Sequence, residues 1–132
     1  MKVVENDFVK FWIEDDILYS KFKKPINGTK ETLKKIIDLR TEISEGKKQY
    51  WCYDFNGIKS HDKAARDYAD KYGQDHLYAC AVVLNTLIAK IILNTFILMK
   101  KPIVPLKGFT SKEEAIIWLR ELRKKNEQSS AI

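Results

Sequence analysis

Ser60, His61 and Asp62 bring together the side-chain types of a hydroxyl nucleophile, a base and an orienting carboxylate. Their adjacency defeats that chemistry, because consecutive side chains leave the start of a helix in different directions and cannot converge as a catalytic triad does. His61 and His76, each beside an aspartate (Asp62 and Asp75), have the ligand types of a two-histidine metal site. A helix is expected between them, which at roughly 1.5 Å per residue sets them about 22 Å apart. Two solvated loop histidines are the simpler reading, and no metal ligand is assigned.

Cys52 and Cys80 fall in two runs that read as neighbouring strands. A disulfide across adjacent parallel strands has poor geometry, so both are read as buried free thiols without a base to activate them. Asp54 closes one of these strands at the carboxyl edge, where α/β sheets bind ligands. The competing role is an Asx-type hydrogen bond into the turn Asn56-Gly57. No glycine-rich phosphate loop, paired CxxC or HExxH motif occurs. No catalytic residue and no cofactor follows from the sequence, and an enzyme is the third-ranked reading.

The elements that must position these residues begin with a hairpin. Phe8–Ile13 and Ile17–Phe22 are short β-branched and aromatic runs around Glu14-Asp15-Asp16. Thr29 is the expected N-cap of a helix carrying Leu33, Ile36, Ile37 and Ile43, with Gly46 as its stop. Gln49–Phe55 reads as a central strand, nearly continuous in large residues. Ser60 is the expected cap of a second helix with Ala65, Tyr68, Ala69 and Tyr72 on one side, closed by Gly73. Leu77–Leu84 is the next buried strand, in which Ala79 and Ala81 share a face and permit close approach of a helix or ligand. Asn85 is the expected cap of a third helix to about Lys100. Ile103-Val104, between Pro102 and Pro105, reads as a short edge strand. Thr110 to Glu113 forms a capping box for a last helix with Ala115, Trp118, Leu119 and Leu122 inward. The strand–helix alternation predicts one α/β domain over 1–125, a mixed, mainly parallel five-stranded sheet with four helices, and a frayed tail over 126–132.

The 132 residues, 45% hydrophobic and 32% charged, exclude a disordered or low-complexity chain. Two cysteines exclude a disulfide-dense secreted scaffold, and the first residues hold no apolar run, so a cytoplasmic protein without a signal peptide is expected. The net charge of +6 comes from lysine pairs scattered along the chain rather than from a stripe, which argues against nucleic acid. The third helix departs most from an ordinary surface helix. Lys90, Asn94 and Lys101 form a narrow polar wedge and nearly every other position is apolar, whereas a surface helix needs an apolar arc of only about 100° or a little more. The apolar run is too short, and interrupted by Lys90, to span a membrane. Three readings stay open: burial between the sheet and a second layer, a flank such as Leu93 and Ile97 offered to a second subunit or partner, or the wall of an apolar pocket.

The order of elements over roughly Phe8 to Lys125 resembles the STAS/SpoIIAA-like domain of the anti-sigma-factor antagonists. More closely, Tyr50-Trp-Cys-Tyr-Asp-Phe-Asn-Gly-Ile-Lys-Ser60 followed by Ala64-Ala-Arg-Asp-Tyr-Ala-Asp70 resembles a group of bacterial SpoIIAA-like proteins. That resemblance implies a non-enzymatic regulatory domain binding a kinase or other protein partner at its strand-to-helix junction, with Ser60 as phosphoacceptor. The family junction reads Asp-Ser-Ser-Gly; here it is Lys59-Ser60-His61-Asp62. The partner surface would comprise Ile58, Lys59, Ser60, His61, Asp62, Leu93 and Ile97, and a homodimer is a further option. The fold is also likened to a lipid-binding domain. The alternative it implies is an apolar or lipid-like ligand held between Ala79, Ala81 and the third helix, with Trp51, Tyr53 and Asp54 at the site.

Overall fold

A computed structural model describes residues 2–130. Its core is the hairpin that the sequence predicts. Strands β2 (Val9–Glu14) and β3 (Ile17–Phe22) pair antiparallel. They are joined through Asp15 and Asp16, both at positive φ (51° and 60°), the backbone twist that two-residue hairpin turns favour. Arg120 and Arg123 of the last helix hold this turn through the Asp15 carboxylate, at 3.2 and 3.7 Å. A strand missing from the sequence reading, β1 (Val3–Glu5), adds antiparallel to β2.

Four helices follow, as predicted: α1 (Lys30–Ser44), α2 (Lys63–Tyr72), α3 (Leu87–Lys100) and α4 (Lys112–Ser130). The parallel part of the sheet is built from β3, β5 (Gln49–Asp54), β7 (Leu77–Val83) and β8 (Leu106–Phe109). The sheet is therefore six-stranded, in the order β1-β2-β3-β5-β7-β8, rather than five-stranded. The edge strand predicted at Ile103-Val104 forms instead at Leu106–Phe109, and Ile103 is 88% exposed. A separate parallel pair, β4 (Ile26–Gly28) with β6 (Ile58–His61), has no counterpart in the sequence reading. Gly28 is needed there: a Cβ would meet the Ser60 carbonyl oxygen at 2.3 Å.

The sheet divides two apolar layers. Val9, Phe11, Leu18, Trp51, Cys80 and Val82 face α1 and α3, through Ile36, Ile43, Ala89, Ile92 and Leu93. On the other face Ile17, Tyr19, Tyr50, Cys52, Ala79 and Ala81 pack against Ala115 and Leu119 of α4. The small residues of β7 thus let α4 approach. α2 is peripheral, with Ala65 its only buried residue; Tyr72, expected on the same side of the helix as Ala65, is exposed.

Helix ends mix agreement and correction. Thr29 caps α1 as predicted, its side chain accepting from the Thr32 N–H. Asp62 rather than Ser60 caps α2, and Thr86 rather than Asn85 caps α3. At α4 the cap is Ser111, whose Oγ accepts from the Glu114 N–H at 3.3 Å, one residue after Thr110, the start of the predicted box. α4 also continues through 126–130, where fraying is expected, and the Asn126 side-chain amide donates to the Tyr50 hydroxyl at 2.7 Å. Residues 131–132 of that predicted tail lie outside the described residues.

One charged side chain is built into the larger layer. Arg40 of α1 is 1% exposed. Its guanidinium donates to the carbonyls of Gly73 (2.7 Å) and Asp75 (2.6 Å) in the turn after α2, and lies 4.9 Å from the Trp51 ring centre. Burial draws the Arg40 pKa below its ordinary value, though guanidinium stays charged. Arg40→Ala removes both donors and the stacking cation, and should cost about 3 kcal/mol. Arg40→Lys should recover less than half, since one ammonium cannot reproduce the planar fork. Urea unfolding measures both; a loss below about 0.5 kcal/mol for Arg40→Ala contradicts this role.

Candidate functional site

The helix with the excess of apolar residues lies over the larger layer. Thr86 starts it, with Oγ1 accepting from the Ala89 N–H at 3.2 Å. Lys101, at φ 48°, ends it before Pro102. The inward arc of Ala89, Ile92, Leu93 and Phe96 is buried. The outward arc is also mostly apolar, broken by Asn94 and Thr95: Leu87 is 74% exposed, Ile88 44%, Ile91 51%, Leu98 77% and Met99 58%. Burial between layers therefore explains only half of the helix. The flank named from sequence is displaced: Leu93 is buried and Ile97 half-buried, while the exposed side chains are those on the opposite arc.

The strand-to-helix junction adjoins this helix. His61 lies edge-on to Phe96 of α3, with ring centres 6.3 Å apart. Lys59 and Ser60 are exposed on β6, but Ile58 is 2% exposed and belongs to the core, so it cannot touch a partner. Ser60 is a strand residue, and the helix N-terminus receives the Asp62 carboxylate, which accepts from the Ala65 N–H at 2.8 Å. His61 is half-buried; its Nδ1 and the Arg66 Nε have no hydrogen-bond partner among the described residues. Burial, with the Arg66 charge adding to it, lowers the His61 pKa to about 4. Across the helix pair, Asp67 of α2 binds Lys100 of α3 at 2.6 Å and Lys63 at 3.0 Å, which lowers its pKa to about 2.

Beneath α3 lies an apolar cavity of about 100 Å³, between the sheet and α1, α2 and α3. Trp51 and Tyr53, named from sequence, do line it, stacked at 4.1 Å between ring centres. Ser20 accepts the indole N–H of Trp51 at 2.9 Å, and burial raises the Tyr53 hydroxyl pKa. Ala79 and Ala81 are not part of it. They face α4 across the sheet, because successive strand residues alternate sides and Cys80 and Val82 take the cavity side. Asp54 is also elsewhere: its carboxylate accepts from the backbone N–H and side-chain amide of Asn56, both at 3.0 Å, the Asx-type role.

Cys52 and Cys80 are free and buried on opposite faces of the sheet. Burial pushes the Cys52 thiol up to about 11 and raises Cys80 as well, so neither is a thiolate near neutrality. Among the described residues no three His, Cys, Asp or Glu side chains gather in a group that could hold a metal ion. Nor is any helix among them long and apolar enough to cross a membrane.

Two residues with structural weight escape a motif search. Arg40 falls on the apolar stripe of Leu33, Ile36, Ile37 and Ile43, and a charge on such a stripe is the signal of a buried partner. Gln74 gives no sequence signal; its Oε1 accepts from the N–H groups of Ile103 (2.6 Å) and Val104 (3.0 Å), fixing the loop at the cavity's end.

Residues 11–123 match the model of a family described as a domain of unknown function (DUF7793), and the chain belongs to that family. No curated protein and no solved structure matches it.

The burial of His61 gives a pH dependence. Its folded pKa of about 4 lies below the ordinary 6.5, so the unfolded chain takes up the proton first as pH falls. Stability is full above pH 6.5 and is lost progressively down to about pH 4. Thermal unfolding should show Tm falling across this window, and His61→Gln should flatten the fall. An unchanged slope in the variant contradicts the assignment.

Proposed function

We propose that this protein is a cytoplasmic, non-enzymatic interaction module that docks a protein partner on the outward face of α3, with Lys59 and Ser60 of β6 at the rim. The observation that carries this reading is the exposure of Leu87, Ile88, Ile91, Leu98 and Met99 along one helix. Apolar side chains scattered singly over a surface need no explanation, but five on one side of a single helix, in two groups flanking Asn94 and Thr95, are the ordinary sign of an association site. The resemblance to anti-sigma-factor antagonists, which work through protein association, supports the same reading. So does the chemistry of the interior, where both thiols are buried and held protonated.

The pocket alternative has less support. Ligand pockets commonly enclose about 300–1,000 Å³, whereas the cavity under α3 holds about 100 Å³. A phosphate on Ser60 would add about −1.5 to −2 charge to the exposed rim beside Lys59. With the α2 N-terminus already capped by Asp62, that charge would act on an approaching partner rather than on the helix.

Photo-crosslinking in the native cell tests the reading. A benzophenone side chain is placed at Ile91, at Leu98, or at exposed Glu121 on α4, across the sheet. Discrete protein adducts at 91 and 98 and none at 121 are expected. Equal yields at all three positions, or none at any, overturn the proposal.

A further inference from the structure

The outward positions of α3 also constrain what covers them. Leu87, Ile91, Asn94 and Leu98 follow one another at intervals of four, three and four residues, the spacing by which one helix meets another along a shared line. Ile88 and Met99 widen the strip on one side. We infer that the occupant of this face is a second copy of this chain, packed α3 against α3 about a twofold axis.

The apolar positions select this occupant. Leu87, Ile88, Ile91, Leu98 and Met99 carry no group that a charged partner could pair with, whereas an identical apolar strip matches them. Lys90, half-buried, and Lys101, exposed, lie beside Asn94 at one edge of the strip, and Lys100 is engaged by Asp67 at 2.6 Å. Asn94 lies in the line itself: its amide both donates and accepts, so a parallel pairing sets it against its own copy across the axis. Area is sufficient as well. The five exposed side chains present on the order of 500 Å², and a twofold contact covers both patches, reaching about 1,000 Å², near the lower bound for a specific interface.

The inference rests on the docking role of α3, and sedimentation velocity tests it separately from that role. The wild-type chain, run from about 5 to 500 µM, should shift from monomer to twice the monomer mass. Leu98→Glu and Ile91→Glu alter exposed side chains, so they should keep the wild-type far-UV spectrum and stay monomeric throughout. Asn94→Asp places two like charges near the axis and should weaken dimerisation at least about tenfold. A wild-type chain that stays monomeric at the highest concentration overturns the inference, whether or not it co-sediments with phosphatidylcholine–phosphatidylserine vesicles. A dimer that survives both glutamate variants overturns it too. A monomer that still gives adducts to another protein from Leu98 leaves the docking role standing; a monomer without adducts removes both.

Discussion

The guanidinium of Arg40 is the point on which the larger layer depends. It reaches inward from α1, stacks on the Trp51 ring of the central strand and closes on two carbonyls of the turn between α2 and β7. One ion thereby joins three segments distant in sequence. Arginine suits the position because its planar fork meets two acceptors at once and loses less on leaving water than a compact ammonium does. Trp51 passes the constraint onward, its N–H bonded to Ser20 of β3 and its face stacked on Tyr53. With the turn after α2 held, Gln74 fixes the loop between α3 and β8, so the placement of α3 follows from the same anchor.

How much of this was legible in the sequence follows from which forces are local. The hairpin, the Thr29 cap of α1 and the two buried parallel strands rest on pattern and capping, and these can be read directly. β4 and β6 cannot: each is three or four residues long, and the pair is stabilised by a tertiary approach that only Gly28 permits. That pairing extends the chain through Ser60 and moves the helix start to Asp62, which removes the helix-terminal site a phosphate would have used. β8 reverses propensity. Ile103-Val104 is the more β-like run, yet the strand forms at Leu106–Phe109 with a glycine inside it. A side chain at Gly108 would meet Leu93 at 3.0 Å, so packing against α3 outweighs local preference.

The candidate site was legible as an excess and misplaced in detail. The width of the apolar arc on α3 is plain in the sequence, but which half turns inward depends on the sheet beneath. Leu93 and Ile97 turned toward the protein, leaving Leu87, Ile88, Ile91, Leu98 and Met99 outside. The same alternation moved Ala79 and Ala81 to the α4 side and left the cavity to Trp51, Tyr53, Cys80 and Val82. What separates α3 from an amphipathic surface helix is therefore its outward half, which the fold itself does not bury.

That distinction is open to direct measurement in the isolated monomer. The triple variant Leu87→Gln, Ile91→Gln, Leu98→Gln is unfolded by urea at dilute concentration beside the wild-type chain. If the outward face exists for association, the variant keeps its stability to within about 0.5 kcal/mol, as substitutions at exposed positions do. A loss above about 2 kcal/mol would mean that these side chains hold the monomer together, and would contradict the account.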